Sequence, residues 1–362
     1  MSDEFLMLAG ETIFLTGFPG FIAGRLLERL AMAGSRFLLL VQPSLLERAK
    51  QESSRIARET GRAAADFKLL EGDITQSDLG LGSGNVAIVR AEAGIVFHLA
   101  AVYDLGVERA LALRVNAEGT AKVNQLVRSI ADLRQYHYVS TCYVAGKRQG
   151  RILETELQHE AGFRNFYEES KYLAETEVNA LKAELPITVH RPAVVCGDSQ
   201  TGETAKYDGV YYLIQYLLKW PSFLSLFNIG NHEVSLNLVP VDFVVEAMVA
   251  LAREPQAIGK TVQIADPDPL STYQLFNTIA HYINGGRSRI RVPTPLVEAS
   301  LMLPFSPALT GLPHHGVPYF FLNQTYDTTQ ASQLLKPQQV VCPRFSDYAN
   351  RIVDFVVRHP LL

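Results

Sequence analysis

Residues 12–23 read TIFLTGFPGFIA, an apolar run that leads into a glycine-containing turn and then into a helical pattern. The run TIFLT predicts a strand. Gly17 permits a tight turn, and Gly20 permits the close backbone approach that a pyrophosphate needs. The small Ala23 lets the next helix pack on the strand, and the N-terminus of that helix attracts anions. Glycine turns are common, but this one lies between a strand and a helix, which favours a dinucleotide site over a plain turn.

Further along the chain, short apolar runs alternate with helix-compatible stretches, as in a parallel sheet covered on both faces. The predicted strands are Thr12–Thr16, Arg36–Val41, Phe67–Glu71, Gly94–Leu99, Tyr136–Ser140 and Ile187–His190. The predicted helices are Arg25–Ala33, Leu45–Thr60 and Asn116–Ile130. Two later runs, Val239–Val245 and Thr261–Ile264, predict returns to the sheet. The expected fold class is therefore α/β with a doubly wound parallel sheet.

The second half of the chain is richer in proline and aromatic residues, as in YYLIQYLLKWPSFLSLF at 211–227. This change predicts a smaller C-terminal lobe that is interleaved with the sheet. We expect a nucleotide-binding domain formed by residues 1–196 and about 238–266. The substrate lobe would then comprise about 197–237 and 267–362.

The composition limits the possible partners and compartments. The chain has 362 residues, 48% hydrophobic and 19% charged, with a net charge of −4, so we expect a folded protein that does not bind nucleic acid. Three scattered cysteines predict neither a disulfide framework nor a Cys-rich zinc site, and they fit a cytoplasmic location. The acidic N-terminus, MSDEFLMLAG, does not look like a signal peptide. No apolar run is long enough to span a membrane, but peripheral contact and oligomeric state stay open.

A tyrosine and a lysine share one face of a predicted helix. Asn165 is the expected cap of that helix, Glu168 follows three residues later, and Pro186 would stop it. Tyr167 and Lys171 lie at i and i+4, where a nearby ammonium would lower the phenol pKa towards neutral. Such a phenol can exchange a proton with a carbonyl that is being reduced. The alternative is an incidental surface pair.

A second Tyr-x-x-x-Lys, formed by Tyr143 and Lys147, follows a strand directly and adjoins Gly146, so we do not expect it to have helical geometry. The hydroxyls of Ser140 and Thr141 end the fifth predicted strand, where an open α/β sheet faces its ligand. One of them is placed to hydrogen-bond the same carbonyl oxygen as Tyr167, in the manner of an oxyanion hole. The alternative is that they satisfy a local turn.

Two more strand ends carry candidate cofactor contacts. Asp73, in the segment GDI, is either an acceptor for the adenine amino group or a turn residue. The small residues of Leu99-Ala100-Ala101 leave room for a cofactor across the sheet edge. His98, just before them, is interpreted as a packed histidine and not as a catalyst.

In order along residues 12–266, the segments TGFPGFIA, GDI, HLAA, Asn116 before Gly-Thr, VST, YEESK, HRP and VPVDFV resemble the extended short-chain dehydrogenase/reductase superfamily. The resemblance implies a Rossmann-type sheet, a catalytic hydroxyl on Thr141, a general acid at Tyr167 and a ribose contact from Lys171. Asn116 would be structural or part of a proton relay. No metal is expected. The implied cofactor contacts are Gly17, Phe18, Pro19, Gly20, Phe21, Ile22, Gln42, Arg48, Asp73, Ile74, Leu99, Ala100, Ala101, Tyr167, Lys171, Pro192, Val194 and Val195.

Finer matches resemble one branch, the fatty acyl-CoA reductases and thioester reductases. They are GDITQSDLGL (72–81), HLAAVYDL (98–105), YVSTCYVAG (138–146), FRNFYEESKYLAE (163–175) and RPAVVCGDSQTGE (191–203). The resemblance implies NAD(P)H-dependent reduction of an acyl thioester, carried by CoA or an acyl carrier protein, to an aldehyde or an alcohol. It becomes thin from Pro267 onward, where we expect substrate choice to be made.

The identity of the nucleotide is less clear from the sequence. This branch usually has an arginine at the end of the second strand, for the 2′-phosphate of NADPH, but here the strand runs into Gln42. The position has no acidic residue for the ribose of NADH either. Arg48 is either a substitute phosphate ligand or an exposed helix residue, so we favour NADPH but keep NADH open.

Other functions stay possible on the same machinery. An epimerase, a dehydratase or a hydroxysteroid-type dehydrogenase would use the same fold and triad. A non-catalytic NAD(P)-binding regulator is less favoured because both Tyr167 and Lys171 are present. The segment GGRSRIR (285–291) either meets the phosphates of a CoA or carrier thiol or, as its alternation favours, forms an exposed strand face. The aromatic second lobe either holds an acyl chain or is only its own core.

Overall fold

The computed structural model describes residues 8–360. The expectation about the N-terminal segment falls largely on residues 1–7, outside this range. The strands in chain order are β1 Thr12–Thr16, β2 Arg36–Val41, β3 Phe67–Glu71, β4 Ile95–His98, β5 Gln135–Val139, β6 Gly150–Ile152, β7 Ile187–Pro192, β8 Val194–Cys196, β9 Phe227–Asn228, β10 Leu238–Pro240, β11 Thr261–Ile264, β12 Ile290–Arg291 and β13 Gln324–Tyr326. The predicted strands are thus confirmed within one or two residues at most ends.

The α-helices connect these strands and cover them. In chain order they are α1 Phe21–Ala31, α2 Leu46–Thr60, α3 Ser83–Glu92, α4 Arg109–Ala112, α5 Gly119–Val127, α6 Phe166–Ala180, α7 Val210–Lys219, α8 Pro221–Leu224, α9 Val241–Arg253, α10 Thr272–Asn284, α11 Thr294–Leu301, α12 Ser306–Thr310, α13 Thr329–Leu335 and α14 Phe345–Arg358. Helix α6 ends at Ala180, before the expected stop at Pro186, and a 3₁₀ turn over Leu181–Ala183 fills the gap.

Seven parallel strands form the central sheet in the order β11-β7-β5-β4-β1-β2-β3. The chain therefore reverses its winding direction between β1 and β4, where doubly wound folds bind their ligands. Alternate residues of β1 enter different cores: Ile13 and Leu15 pack on the face covered by α1 and α9, while Phe14 packs with the α5 and α6 side. The doubly wound α/β fold is confirmed.

The prediction of a strand over Val239–Val245 is wrong in part. Only Leu238–Pro240 is extended, and it pairs with β8 outside the central sheet. Helix α9 begins at Val241, directly after Pro240, and buries Val241, Val244, Val245 and Met248. These spacings of three and four residues match a helix buried against the sheet, and Ala, Leu and Met further along favour it.

A second core lies away from the sheet. Apolar residues of α7, α10 and α14 pack together there, with further side chains from β8 and β10. Ile214, Phe276 and Ile352 are fully buried in this cluster. Next to it, α11 and the segment around Val317 form a smaller apolar cluster. Among the described residues, no helix is both long and apolar enough to cross a bilayer.

Candidate active site

The turn after β1 brings the backbone very close to the end of β4. Gly17 has φ of +96°, and a Cβ there would lie 2.8 Å from the Ala100 nitrogen and 2.9 Å from the Leu99 carbonyl carbon. A side chain would therefore be both strained and blocked. Gly20 precedes the first residue of α1, and a Cβ on it would lie 2.7 Å from the Gly17 oxygen. The glycines thus keep the N-terminus of α1 open towards the sheet edge, the geometry that a pyrophosphate requires.

A cavity of about 690 Å³ runs along the carboxyl ends of β1, β2, β3, β4, β5 and β7. Of the sequence-predicted site residues, all but Asn116 line it. Its cationic lining residues are Arg48, Arg114, Lys171 and Lys206, against the two carboxylates of Asp73 and Asp208. The size, the glycine turn and the excess of positive charge fit an extended dinucleotide.

The edge of this cavity near β2 and β3 combines polar and cationic groups. Gln42 donates from Nε2 to Asp73 Oδ2 at 3.3 Å, and the other Asp73 oxygen accepts the Thr75 backbone N–H at 2.8 Å. Asp73 is thus both a turn residue and part of the cavity wall. Arg48 is an exposed residue of α2, and it lines the same wall.

Thr141 and Tyr167 meet at the inner part of the cavity. Thr141 follows β5 and is buried, and its hydroxyl accepts the Tyr143 backbone N–H at 3.2 Å. Asn165 caps α6 as predicted, since its side chain accepts the Glu168 N–H at 3.0 Å. Burial raises the pKa of Tyr167, and its hydrogen bond with Thr141 only partly opposes this. Tyr167 is therefore protonated at neutral pH.

The expectation that Lys171 lowers the Tyr167 pKa is wrong for this structure. The Lys171 ammonium donates instead to the Tyr138 hydroxyl at 2.9 Å and to the Val139 carbonyl at 2.8 Å. Burial lowers the pKa of Lys171 to about 7, against the opposing effect of Glu175 one turn later. The ring face of Tyr138, 4.5 Å from the ammonium, adds a cation–π contact. Lys171 is therefore a buried lining residue of the cavity, and its pKa lies near neutral.

A buried ion pair supports the strands that carry these residues. Arg191 on β7 donates from Nη2 to Glu175 Oε1 at 2.5 Å, and from Nε to both carboxylate oxygens at 2.9 and 3.1 Å. Ser140 donates to the same carboxylate. Only 2% of the Arg191 side chain and 1% of the Glu175 side chain are exposed. Helix α6 is thus tied to the ends of β5 and β7.

Two predicted residues have structural contacts. Asn116 is fully buried in a π-helical turn, where it bonds the Val102 backbone and donates to Ser170 Oγ at 2.9 Å. It lies behind the cavity wall. His98 bonds Thr16 and Thr120 through its two ring nitrogens, and burial lowers its pKa to about 3. It is the packed histidine that was predicted.

The other Tyr-x-x-x-Lys pair is also as predicted. Tyr143 lies in a 3₁₀ turn over Cys142–Ala145 that ends before Lys147, so the two do not share a helix face. In GGRSRIR, Ile290 and Arg291 form the short exposed strand β12, which agrees with the favoured interpretation of that segment.

Several wall residues were missed by the sequence analysis: Tyr103, Arg114, Tyr143, Lys206 and Asp208. The Tyr103 ring meets the Tyr167 ring edge-on, with centroids 5.2 Å apart. The Lys206 ammonium lies over the Tyr103 ring, 5.8 Å from the ring centroid, and is 3.9 Å from Asp208 Oδ2. These residues lie in or next to irregular segments, where no periodic pattern marks them.

The parallel sheet, the glycine turn and the hydroxyl–tyrosine–lysine group define the class, an extended short-chain dehydrogenase/reductase that binds a nicotinamide nucleotide. Residues 15–248 match the family model described as male sterility protein, and the chain belongs to that family. The match covers the sheet up to α9 and includes every predicted site residue.

Individual relatives agree with this placement. The chain is 24% identical over 283 residues to a glycine betaine reductase of Emericella nidulans, covering 74% of this chain and 22% of that protein. It is 23% identical over 280 residues to the fatty acyl-CoA reductase wat of Drosophila melanogaster, covering 66% of this chain and 53% of that protein. The chain thus spans about half or less of these relatives. The terminal R domain of the myxalamid PKS-NRPS pathway has the same fold, with a TM-score of 0.82, 24% identity, and 98% of this chain and 92% of that one covered.

Proposed function

We propose that the protein reduces an acyl thioester, bound to CoA or to an acyl carrier protein, with NADPH. The observation that carries this proposal is the meeting of Thr141 and protonated Tyr167 in the wall of a cavity shaped and charged for a dinucleotide. The relatives named as reductases support the same class of reaction. The substrate lobe would comprise about 197–237 and 267–362, beside this cavity.

The nucleotide, when bound, supplies a hydride. The residues of this chain hold the carbonyl and supply the proton. The Thr141 and Tyr167 hydroxyls donate to the carbonyl oxygen, which becomes negative as the carbonyl carbon accepts the hydride. Because burial raises the pKa of Tyr167, its hydroxyl is protonated before the hydride is transferred and can donate to the developing oxyanion.

The products follow from the balance of the step. A C–H bond forms at the carbonyl carbon, and the oxygen takes a proton through Tyr167, which gives a hemithioacetal. The C–S bond then breaks as the hydroxyl proton passes to the leaving sulfur, so the products are an aldehyde, a free thiol and oxidised nucleotide. A second reduction of the aldehyde, with a second NADPH and a proton, would give the alcohol.

Arg48 supports the choice of NADPH over NADH. It lies in the first turn of α2, seven residues after the end of β2, and lines the same cavity as Gln42. A guanidinium at this place can pair with a 2′-phosphate, which NADH lacks. Lys171 and Asp73 would contact the nicotinamide and adenine ends.

The test is turnover of NADPH with acyl-CoAs, with the released aldehyde trapped and identified. We expect Tyr167→Phe to lower kcat by roughly 10²–10⁴-fold, the range for a lost general acid. Tyr172→Phe is the matched control, since Tyr172 lies on the same helix and its hydroxyl bonds Gln158 away from the cavity. Unchanged turnover in Tyr167→Phe contradicts the assignment. Isomerised or dehydrated sugar nucleotide without net NADPH use would indicate the epimerase or dehydratase alternative.

A further inference from the structure

An apolar cavity of about 400 Å³ lies in the second core, apart from the cofactor cavity. Its walls come from α7, α8, α10 and α11, with Leu213, Leu275, Phe276 and Leu301 among the lining residues. None of the described residues that line it is charged. The space is therefore suited to a hydrocarbon and not to a polar ligand.

The hydroxyl groups of serine and threonine in this wall are already used. Thr272 donates to the Asn231 carbonyl, Ser300 to the Val297 carbonyl at 2.7 Å, and Thr310 to the Ser306 carbonyl at 2.8 Å. Each is thus satisfied by the backbone. An alkyl group that enters the cavity would leave no hydroxyl of this set without a partner.

A narrow space of about 60 Å³, here called the neck, lies between this cavity and the cofactor cavity. It shares lining residues with both. Those shared with the cofactor cavity are Tyr103, Tyr143, Val194, Lys206 and Asp208, and those shared with the apolar cavity are Tyr212, Leu312 and Phe320. Because the Tyr103 ring contacts the Tyr167 ring, the neck begins beside the proposed proton donor.

The charges along the neck do not block an alkyl chain. Lys206 and Asp208 lie 3.9 Å apart, and Asp104 accepts the Gly106 backbone N–H at 2.8 Å. The rest of the wall consists of aromatic and aliphatic side chains, two glycines and His315. A space this narrow admits an unbranched chain more easily than a ring or a branched group.

We propose that the acyl tail of the thioester passes through the neck and lies in the apolar cavity, so that the enzyme selects long unbranched acyl chains. This inference rests on the proposed function. An apolar cavity of about 150 Å³ holds benzene, so at the same packing the 400 Å³ cavity accommodates roughly 16 carbons. Each buried methylene would raise affinity by about fourfold until the cavity is full.

The test compares straight-chain acyl-CoAs from four to sixteen carbons. Val297→Trp fills the apolar cavity from α11, and Leu312→Trp fills the junction with the neck; both positions are buried. The matched control is Leu296→Trp, next to Val297 on the same helix but 63% exposed. We expect both filling variants to lower kcat/KM at least tenfold for chains of twelve or more carbons and to leave butyryl-CoA within about twofold. The control should keep the wild-type profile.

Binding of the same acyl-CoAs without nucleotide, measured by calorimetry, separates this inference from the proposed function. If wild type turns over no acyl-CoA but binds longer chains more tightly, and Val297→Trp loses that preference, the tail site stands and the proposed function fails. If affinity and kcat/KM do not rise with chain length, or if they rise equally in both filling variants, the inference is overturned. Retention of butyryl-CoA binding by either variant shows that it has folded.

Discussion

Replacement of Glu175 by glutamine tests how much the buried Glu175–Arg191 ion pair contributes to the stability of the protein. The carboxylate accepts three Arg191 contacts and the Ser140 hydroxyl, and both members of the ion pair are almost fully buried. Glu175→Gln leaves the Arg191 cation buried without its counter-charge, which costs about 3–5 kcal/mol. With an unfolding entropy of about 2.1 cal/mol/K per residue, 362 residues give about 0.76 kcal/mol/K, so the melting temperature should fall by roughly 4–7 °C.

The assay is thermal unfolding followed by circular dichroism, with Glu177→Gln as the matched control. Glu177 lies two residues later on α6 and is exposed, so its neutralisation should change stability by less than about 0.5 kcal/mol. A fall in melting temperature of less than about 1 °C in Glu175→Gln, or an equal fall in the control, would refute the argument that the Glu175–Arg191 ion pair stabilises the ends of β5 and β7.

The same variant should alter the titration of Lys171. The Glu175 carboxylate raises the pKa of Lys171, while burial lowers it to about 7. Neutral glutamine removes the raising effect, so the ammonium should lose its proton at a lower pH. The pH dependence of nucleotide binding should therefore move to lower pH in Glu175→Gln and stay in place in Glu177→Gln.

Three further predictions concern nucleotide binding. Arg48→Ala should weaken NADPH binding about tenfold, because one charge-assisted contact is lost, and it should leave NADH binding unchanged. Lys50→Ala, on the same helix but outside the cavity wall, should alter the binding of neither nucleotide. Equal effects of Arg48→Ala on the binding of both nucleotides would contradict the 2′-phosphate contact. Gly17→Ala should abolish NADPH binding in fluorescence titrations, because the added Cβ collides with the backbone that follows β4. Gly61 also has a positive φ but has open space around it, so Gly61→Ala should retain NADPH binding and lower the free energy of unfolding by about 1–2 kcal/mol. NADPH affinity of the wild type should fall as pH rises through about 7, since the Lys171 pKa is lowered to that value and its charge is lost above it. Lys171→Arg stays charged, so its NADPH affinity should not show this fall. A wild-type affinity that does not depend on pH would exclude a role of the Lys171 charge in nucleotide binding.

The positions of several residues that line the cofactor cavity could be predicted because they follow strands. Gly17, Asp73, Leu99 and Thr141 each come directly or within two residues after a run of apolar residues. In a parallel sheet those ends lie at one edge, so the periodicity of the sequence alone places them together. The cavity lining bears out this placement, and it required no knowledge of side-chain packing.

The protonation states could not be predicted in the same way. The i, i+4 spacing correctly placed Tyr167 and Lys171 on one helix face, but it suggested a lowered phenol pKa. The actual direction depends on burial and on the competing acceptors of Lys171, the Tyr138 hydroxyl and the Val139 carbonyl. Those groups come from β5, about 30 residues earlier, and no local pattern links them to α6.

The strand expected over Val239–Val245 shows a related limit. A short run of β-branched residues is compatible with a buried strand and with one face of a buried helix. Pro240 and the helix-favouring residues after Glu246 decide the matter here, and α9 continues to Arg253. The apolar pattern that continues beyond Val245 indicates a helix more clearly than the short run Val239–Val245 indicates a strand.

Substrate choice is harder to predict than cofactor binding for a physical reason. A phosphate or a carbonyl is recognised by a few residue types at particular places, so their sequence signals are specific. A hydrocarbon is recognised only by shape, and Leu213, Leu275 and Leu301 line the apolar cavity with the same residue type that fills the cores elsewhere. Leu213 and Leu301 are 88 residues apart in the chain, and only the packing of α7, α10 and α11 brings the three leucines together in one wall. The sequence alone left open whether this lobe holds an acyl chain or only its own core, and the neck beside Tyr167 is the feature that favours the acyl chain.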